Sequence, residues 1–296
     1  MKSLLGTGVA LVTPFTAQGT LDTAALKRIV RYQLDNGINY LVVLGTTGES
    51  VTLSTEEKTI VLDTVLAENQ SQVPVVLGVG GNDTAEVIRQ LKKIDPQQID
   101  AVLSVSPMYN KPTQEGIFRH FEAVAQASPV PVLLYNVPGR TSSNMAPETV
   151  VRIANQCPNI IGIKEAAGDL VQALKLIRTV PKDFLVISGD DMIALSMVLA
   201  GGHGVISVIG EGLPKAFSEM IRLGLNGEVK RAFALHYQMM PVIDYIFEEG
   251  NPAGIKALFN VIGLCSNHLR LPLVPVSPAL YEKIEIFVND FNAIER

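Results

Sequence analysis

Lys164 is the residue in this chain that says most about chemistry. It follows the apolar run Ile160-Ile161-Gly162-Ile163, with no other charge beside it until Glu165. Side chains alternate along a strand, so Lys164 and Glu165 face opposite ways. Gly162 shares the lysine's face and, lacking a side chain, leaves it space. Desolvation disfavours the charged form of an amine, and a lysine that attacks a carbonyl needs the neutral form. The competing reading is a lysine that reaches solvent from a strand end or pairs with a carboxylate. Tyr135 ends the preceding apolar run and can stand beside Lys164, where a phenol relays protons; otherwise it is a core tyrosine. Thr46 and Thr47 lie between Gly45 and Gly48 and offer hydroxyls and N–H groups for a small carboxylate pocket, or form an ordinary tight turn. Arg140, just past Pro138-Gly139, suits bidentate carboxylate capture or is a surface arginine. Tyr109, before Asn110-Lys111-Pro112, fits an interface, a site, or both.

Several weaker patterns carry less. Gly78-Val79-Gly80-Gly81 lacks the spacing of a dinucleotide-binding loop, and no Gly-Lys-Ser/Thr follows the threonine loop. His120, His203, His236 and His268 are scattered, without the clustering that a zinc site requires.

The elements that must bring these residues together follow one rhythm. Apolar runs rich in Val, Ile and Leu cover 8–14, 40–45, 73–79, 101–107, 130–137, 160–164, 184–189 and 204–208. Each is nearly continuous, as in strands of a parallel sheet buried on both faces. Between them lie stretches of helical period at 22–36, 54–68, 84–93, 113–127, 146–156, 169–180, 191–200 and 214–223. Eight strand–helix units predict a (β/α)₈ TIM barrel over residues 1–226, with a doubly wound open sheet as the second choice. Residues 227–296 predict a helical extension packed on the barrel, with helices at 228–246, 253–262 and 278–294. In a TIM barrel the active site forms at the C-terminal ends of the strands, and all the residues singled out stand there.

Composition narrows the class. The chain has 296 residues, 47% hydrophobic and 18% charged, with a net charge of −5 and no basic block to hold nucleic acid. The apolar start, residues 1–15, is interrupted by Gly6, Thr7, Gly8 and Thr13 and reads as a strand rather than a signal peptide. The run 192–200 falls well short of the roughly 20 residues that span a bilayer. Two isolated cysteines, Cys157 and Cys265, fit buried thiols in a reducing cytoplasm.

At these residues the chain resembles the dihydrodipicolinate synthase / N-acetylneuraminate lyase family, over almost its whole length. Gly45-Thr46-Thr47-Gly48-Glu49-Ser50 resembles the family's threonine loop, and Tyr135-Asn136-Val137-Pro138 with Arg140-Thr141 its tyrosine segment. Ile161-Gly162-Ile163-Lys164-Glu165 resembles its lysine segment. The resemblance implies a class I aldolase-type lyase in which Lys164 forms a Schiff base with pyruvate and Tyr135 gives and takes the proton. It implies a proton relay of Thr46, Tyr135 and Tyr109, the last supplied by a neighbouring subunit. Thr47 would bind the pyruvate carboxylate, and Gly189 and Ile206 would border pyruvate through their backbones. Arg140 would hold the carboxylate of L-aspartate 4-semialdehyde, whose adduct with the enamine cyclises on the diaminopimelate route to lysine. The family also implies a homotetramer built as a dimer of tight dimers, with no metal and no cofactor.

Arg140 within Pro138-Gly139-Arg140-Thr141 resembles the synthase branch. The alternatives are lyases of the same family acting on N-acetylneuraminate, 2-keto-3-deoxy sugar acids or 4-hydroxy-2-oxo acids. A non-catalytic ligand-binding barrel is more distant, because Lys164, Tyr135 and Thr47 are all present. One departure concerns regulation. Asn82 and Glu86 match residues of the family's lysine feedback site, but Met108 replaces the first of two tyrosines before Asn110. Thr55 and Lys58 stand where lysine-sensitive relatives often carry histidines. Weak or absent inhibition by L-lysine is the expectation.

Overall fold

The computed structural model describes residues 4–294, so the outermost ends of the expected barrel and extension, 1–3 and 295–296, lie outside the described residues. The strands are β1 (Gly6–Ala10), β2 (Tyr40–Val43), β3 (Val75–Gly78), β4 (Ala101–Val105), β5 (Val132–Asn136), β6 (Ile160–Glu165), β7 (Leu185–Ser188) and β8 (Gly204–Ser207). They run parallel in sequence order, and β8 pairs with β1 to close the barrel. The open-sheet alternative is thereby excluded.

Alternation along each strand sorts the apolar side chains into two layers. Ala10, Val42, Val76, Leu103, Leu133, Ile187 and Ile206 fill the bore. Val9, Leu41, Val75, Val102, Leu134, Ile163, Val186 and Val205 face the surrounding helices. Burial on both faces is why the runs read as continuous. Most strands are shorter than their apolar runs, because the last residues of a run leave the ladder to build the rim.

The helices are α1 (Thr23–Asp35), α2 (Thr55–Asn69), α3 (Thr84–Leu91), α4 (Gln114–Ala127), α5 (Pro138–Thr141), α6 (Pro147–Gln156), α7 (Leu170–Thr179), α8 (Ala194–Leu199), α9 (Ile209–Gly212) and α10 (Pro214–Leu225). The extension contributes α11 (Val229–Glu248), α12 (Ala253–Val261) and α13 (Pro278–Ile294). Asp22, Ser54, Asp83, Thr113 and Asp169 each accept N–H groups of the first helical turn, which fixes where five of these helices begin. Ser54 and Glu57 complete a capping box. The helix expected at 191–200 starts later, at Ala194, because two aspartates before it are engaged elsewhere. Asp190 Oδ1 accepts the Met192 N–H at 2.9 Å, and Asp191 turns toward the end of β8. The four-residue helices α5 and α9 are too short for any period to announce them.

Met239, Val242 and Ile246 of α11, Ile255, Leu258 and Phe259 of α12, and Leu280 and Ile284 of α13 belong to the same apolar cluster as the barrel's outer layer. Polar ties run from the extension to the rim: Ser266 Oγ donates to the Phe15 carbonyl at 2.8 Å, and Arg270 donates to the carbonyls of Gly19 and Thr52 at 2.7 and 2.9 Å. Among the described residues no helix is long and apolar enough to cross a membrane.

Candidate active site

The β5–β6 register sets the centre of the site: Tyr135 pairs with Lys164, and Asn136 with Glu165. Tyr135 and Lys164 point into the barrel mouth, and Lys164 is only 6% exposed. Its Nζ lies 4.4 Å from the centroid of the Tyr135 ring. Among the described residues no carboxylate pairs with it, so neither form of the competing reading holds. The expectation that Gly162 makes room for the lysine needs correction. A Cβ at Gly162 would lie 2.6 Å from the Leu185 carbonyl and 2.9 Å from Leu133 Cδ2, so that space is already filled. Room comes instead from Gly189, where a Cβ would stand 2.8 Å from Lys164 Cε and 2.9 Å from its Cγ.

Behind this pair a buried polar cluster locks the two strands. The Glu165 oxygens accept Asn136 Nδ2 at 3.1 and 3.0 Å, Gln172 Nε2 at 3.0 Å and the Ala167 N–H at 2.8 Å. Burial pushes the Glu165 carboxyl above its usual range, and these hydrogen bonds pull the other way. Asn136 Oδ1 accepts the Met145 N–H at 3.0 Å and its Nδ2 donates to Asn144 Oδ1 at 2.8 Å. One network therefore joins β5, β6, α7 and the segment that follows Arg140.

The threonine loop is bracketed by Leu44 and Glu49, both left-handed with φ of 60° and 50°. Thr13 Oγ1 donates to the Gly48 carbonyl at 2.7 Å, and the Glu49 N–H to the Thr46 carbonyl at 3.1 Å. Thr46 is exposed and Thr47 is buried. Thr47 Oγ1 accepts Asn251 Nδ2 at 3.0 Å. Across the mouth, Arg140 Nη2 donates to the Asn251 carbonyl at 3.4 Å, and no carboxylate of the described residues pairs with its guanidinium.

These groups line a cavity of about 660 Å³. Thr46, Thr47, Tyr135, Arg140, Lys164 and Gly189 all contribute to its wall. Ile206 does not; it sits 1% exposed in the bore with Leu133 and Ile187. Tyr109, at φ 65° and 85% exposed, stands on the loop after β4, outside the cavity wall. Asn82 is exposed just before α3, and Glu86 lies half-buried in its first turn, bonded to Arg89 at 2.8 Å and Gln90 at 3.0 Å. The wall also includes residues that sequence reasoning passed over: Asn251, Asp191, and Ile243, Asp244, Phe247 and Glu248 of α11. Asp191 Oδ2 accepts the N–H groups of Val208 and Ile209 at 3.0 and 2.9 Å, and burial pushes its carboxyl up to about 6. The only local hints were an Asp-Asp pair after β7 and an Asn-Pro step before α12, neither of which marks a site.

A sequence profile of the Dihydrodipicolinate synthetase family matches residues 3–290. The chain belongs to this family. It is 60% identical over 292 residues to the 4-hydroxy-tetrahydrodipicolinate synthase of Flavobacterium psychrophilum, an alignment covering 99% of this chain and 100% of that one. The dihydrodipicolinate synthase of Thermotoga maritima superposes with a TM-score of 0.95 at 38% identity, covering 97% of this chain and 98% of the other. That of Acinetobacter baumannii, solved in complex with pyruvate, superposes at 0.94 with 37% identity, covering 98% and 99%. The three segments that carried the likeness to dihydrodipicolinate synthases in sequence meet at one end of the barrel, around one cavity.

Proposed function

We propose that the chain catalyses the 4-hydroxy-tetrahydrodipicolinate synthase reaction, joining pyruvate to L-aspartate 4-semialdehyde on the diaminopimelate route to L-lysine. One observation carries the reading: a buried amine without a carboxylate partner, over the face of a tyrosine, in a cavity shared with Thr47 and Arg140. The synthase of Flavobacterium psychrophilum, at 60% identity, supports the reaction, and the pyruvate complex of the Acinetobacter baumannii enzyme supports the first substrate.

Lys164 Nζ attacks the carbonyl carbon of pyruvate, water leaves, and an iminium forms. Tyr135 mediates loss of a methyl proton, giving the enamine. Thr47 holds the pyruvate carboxylate, with the backbone of Gly189 beside it, while Ile206 lies in the bore below rather than in the cavity wall. The enamine carbon then attacks the aldehyde carbon of the second substrate, and Tyr135 returns a proton to the new alkoxide. The amino group of that substrate attacks the imine carbon, which closes the ring and frees Lys164. Arg140 holds the second substrate's carboxylate, for which a guanidinium fork is well shaped. Thr46 and Tyr109 carry protons between Tyr135 and solvent. The exposure of Tyr109 outside its own cavity supports its use by a neighbouring subunit, in a homotetramer of tight dimers. Cys157 and Cys265, free and buried, suit a cytoplasmic setting.

Borohydride reduction in the presence of pyruvate is expected to add mass to the Lys164 peptide alone. A coupled assay with both substrates should show turnover in the wild type and a loss of at least about 10³-fold in Lys164→Ala. Normal turnover in that variant, or faster release of pyruvate from a keto-deoxy acid than condensation with the semialdehyde, refutes the reading.

A further inference from the structure

Lys256 of α12 and Glu49, which closes the threonine loop, form an ion pair at 2.5 Å whose side chains are 0% and 1% exposed. Lys256 Nζ also donates to the His268 carbonyl at 2.9 Å and lies 4.3 Å from the centroid of the Phe15 ring. The other Glu49 oxygen accepts the Arg270 backbone N–H at 3.1 Å. The Arg270 guanidinium lies 4.4 Å from the same Phe15 ring and donates to the Thr52 carbonyl at 2.9 Å, just past the loop. Two cations from the extension thus hold the far side of the loop through a carboxylate, an aromatic ring and a backbone carbonyl.

A buried ion pair is a weak source of stability, because desolvation cancels most of the attraction; its best-attested use is to fix one arrangement over others. The arrangement held here is the loop. Glu49 is left-handed, and its N–H is bonded to the Thr46 carbonyl, so movement of Glu49 passes directly into the Thr46–Thr47 backbone. Neither Glu49, Lys256 nor Arg270 lines the cavity.

We infer that the Lys256–Glu49 pair, braced by Arg270, positions the threonine loop to receive the pyruvate carboxylate, so that the C-terminal extension builds part of the binding site. The inference rests on the reading that Thr47 holds that carboxylate.

The decisive variant is Glu49→Gln/Lys256→Met. Removing one partner would strand a buried charge, whereas removing both keeps volume and strands neither member of the pair, which separates positioning from stability. The double variant is expected to melt within a few degrees of wild type. Its KM for pyruvate should rise about tenfold or more, while its KM for the semialdehyde stays within about twofold, since only one carboxylate pocket is disturbed. A folded double variant with an unchanged KM for pyruvate overturns the inference. If the double variant does not fold, Arg270→Gln decides: a rise of about threefold in the same constant supports the proposal, and no rise overturns it. Borohydride trapping of pyruvate on wild-type Lys164 runs beside both. Its absence would sink the underlying reading, whereas trapping with an unmoved KM sinks only this inference.

Discussion

At Gly189 the absence of one methyl group decides where the Lys164 amine can stand. A Cβ there would come within 2.6 Å of Ala166 Cβ and within 2.9 Å of the Lys164 stem, so a side chain and the lysine cannot share the space. Ala166 Cβ is fixed to its backbone and the Lys164 stem must shift, so Gly189→Ala should displace the amine and cost some stability as well. A misplacement of about 1 Å costs on the order of 10²-fold in rate. The expected outcome is a kcat lower by about that factor in a variant that still folds but melts at a lower temperature, and a variant with wild-type kcat would show that the glycine is incidental. Residues of this kind divide sharply in how visible they are beforehand. Lys164, Tyr135 and Arg140 declare themselves because their side-chain chemistry is unusual at strand ends. Gly162 misled because alternation along β6 shows which residues share a face, but not that Leu185 from the next strand fills the gap. Asn251 gave no warning at all; its bond to Thr47 joins residues 204 positions apart, and nothing local to Asn251 marks it.

Among the elements, the turn from β7 into α8 shows how a single carboxylate can reroute a chain. Asp191 belongs by period to the helix, yet it is 2% exposed and bonded to two N–H groups at the end of β8. Its folded value of about 6 lies above the ordinary 3.8 because burial disfavours its charged form. The folded state therefore holds this proton more tightly than the unfolded chain does. The stabilising contribution is full below about pH 4 and vanishes as pH rises through 6. Between pH 4 and pH 7 the wild type should lose about 2 kcal/mol relative to Asp191→Asn, read as the difference between their urea unfolding free energies. A pH-independent difference would mean that Asp191 titrates as an ordinary surface carboxylate. The strands and long helices were legible because periodicity and capping residues are local. The short helices α5 and α9 were not, because four residues hold no period, and the late start of α8 was not, because the end of β8 holds Asp191.

For the whole molecule, the eightfold repeat made the barrel plain, while the reach of the extension into the site stayed hidden in contacts made across nearly the full length of the chain. Regulation is an issue at this scale too. Asn82, Glu86, Thr55 and Lys58 lie around the starts of α2 and α3, outside the cavity. The Glu86 carboxylate is already occupied: Gln90 and Arg89 hold it below the usual carboxylate range, and an ammonium ligand would have to displace them. L-Lysine is expected to inhibit with a constant no lower than about 1 mM, a free energy of about −4 kcal/mol at most. Sub-millimolar inhibition in the coupled assay would overturn this.

The filled bore has a consequence for traffic. Leu103, Leu133, Ile187 and Ile206, each 4% exposed or less, plug the bore beneath Lys164 and Tyr135, so the chamber is reached from the rim and not through the barrel. Whatever enters second stands between the first arrival and the exit. Pyruvate must take its seat, and shed its water, before the aldehyde steps in behind it, and the finished ring must leave before the next keto acid can pass.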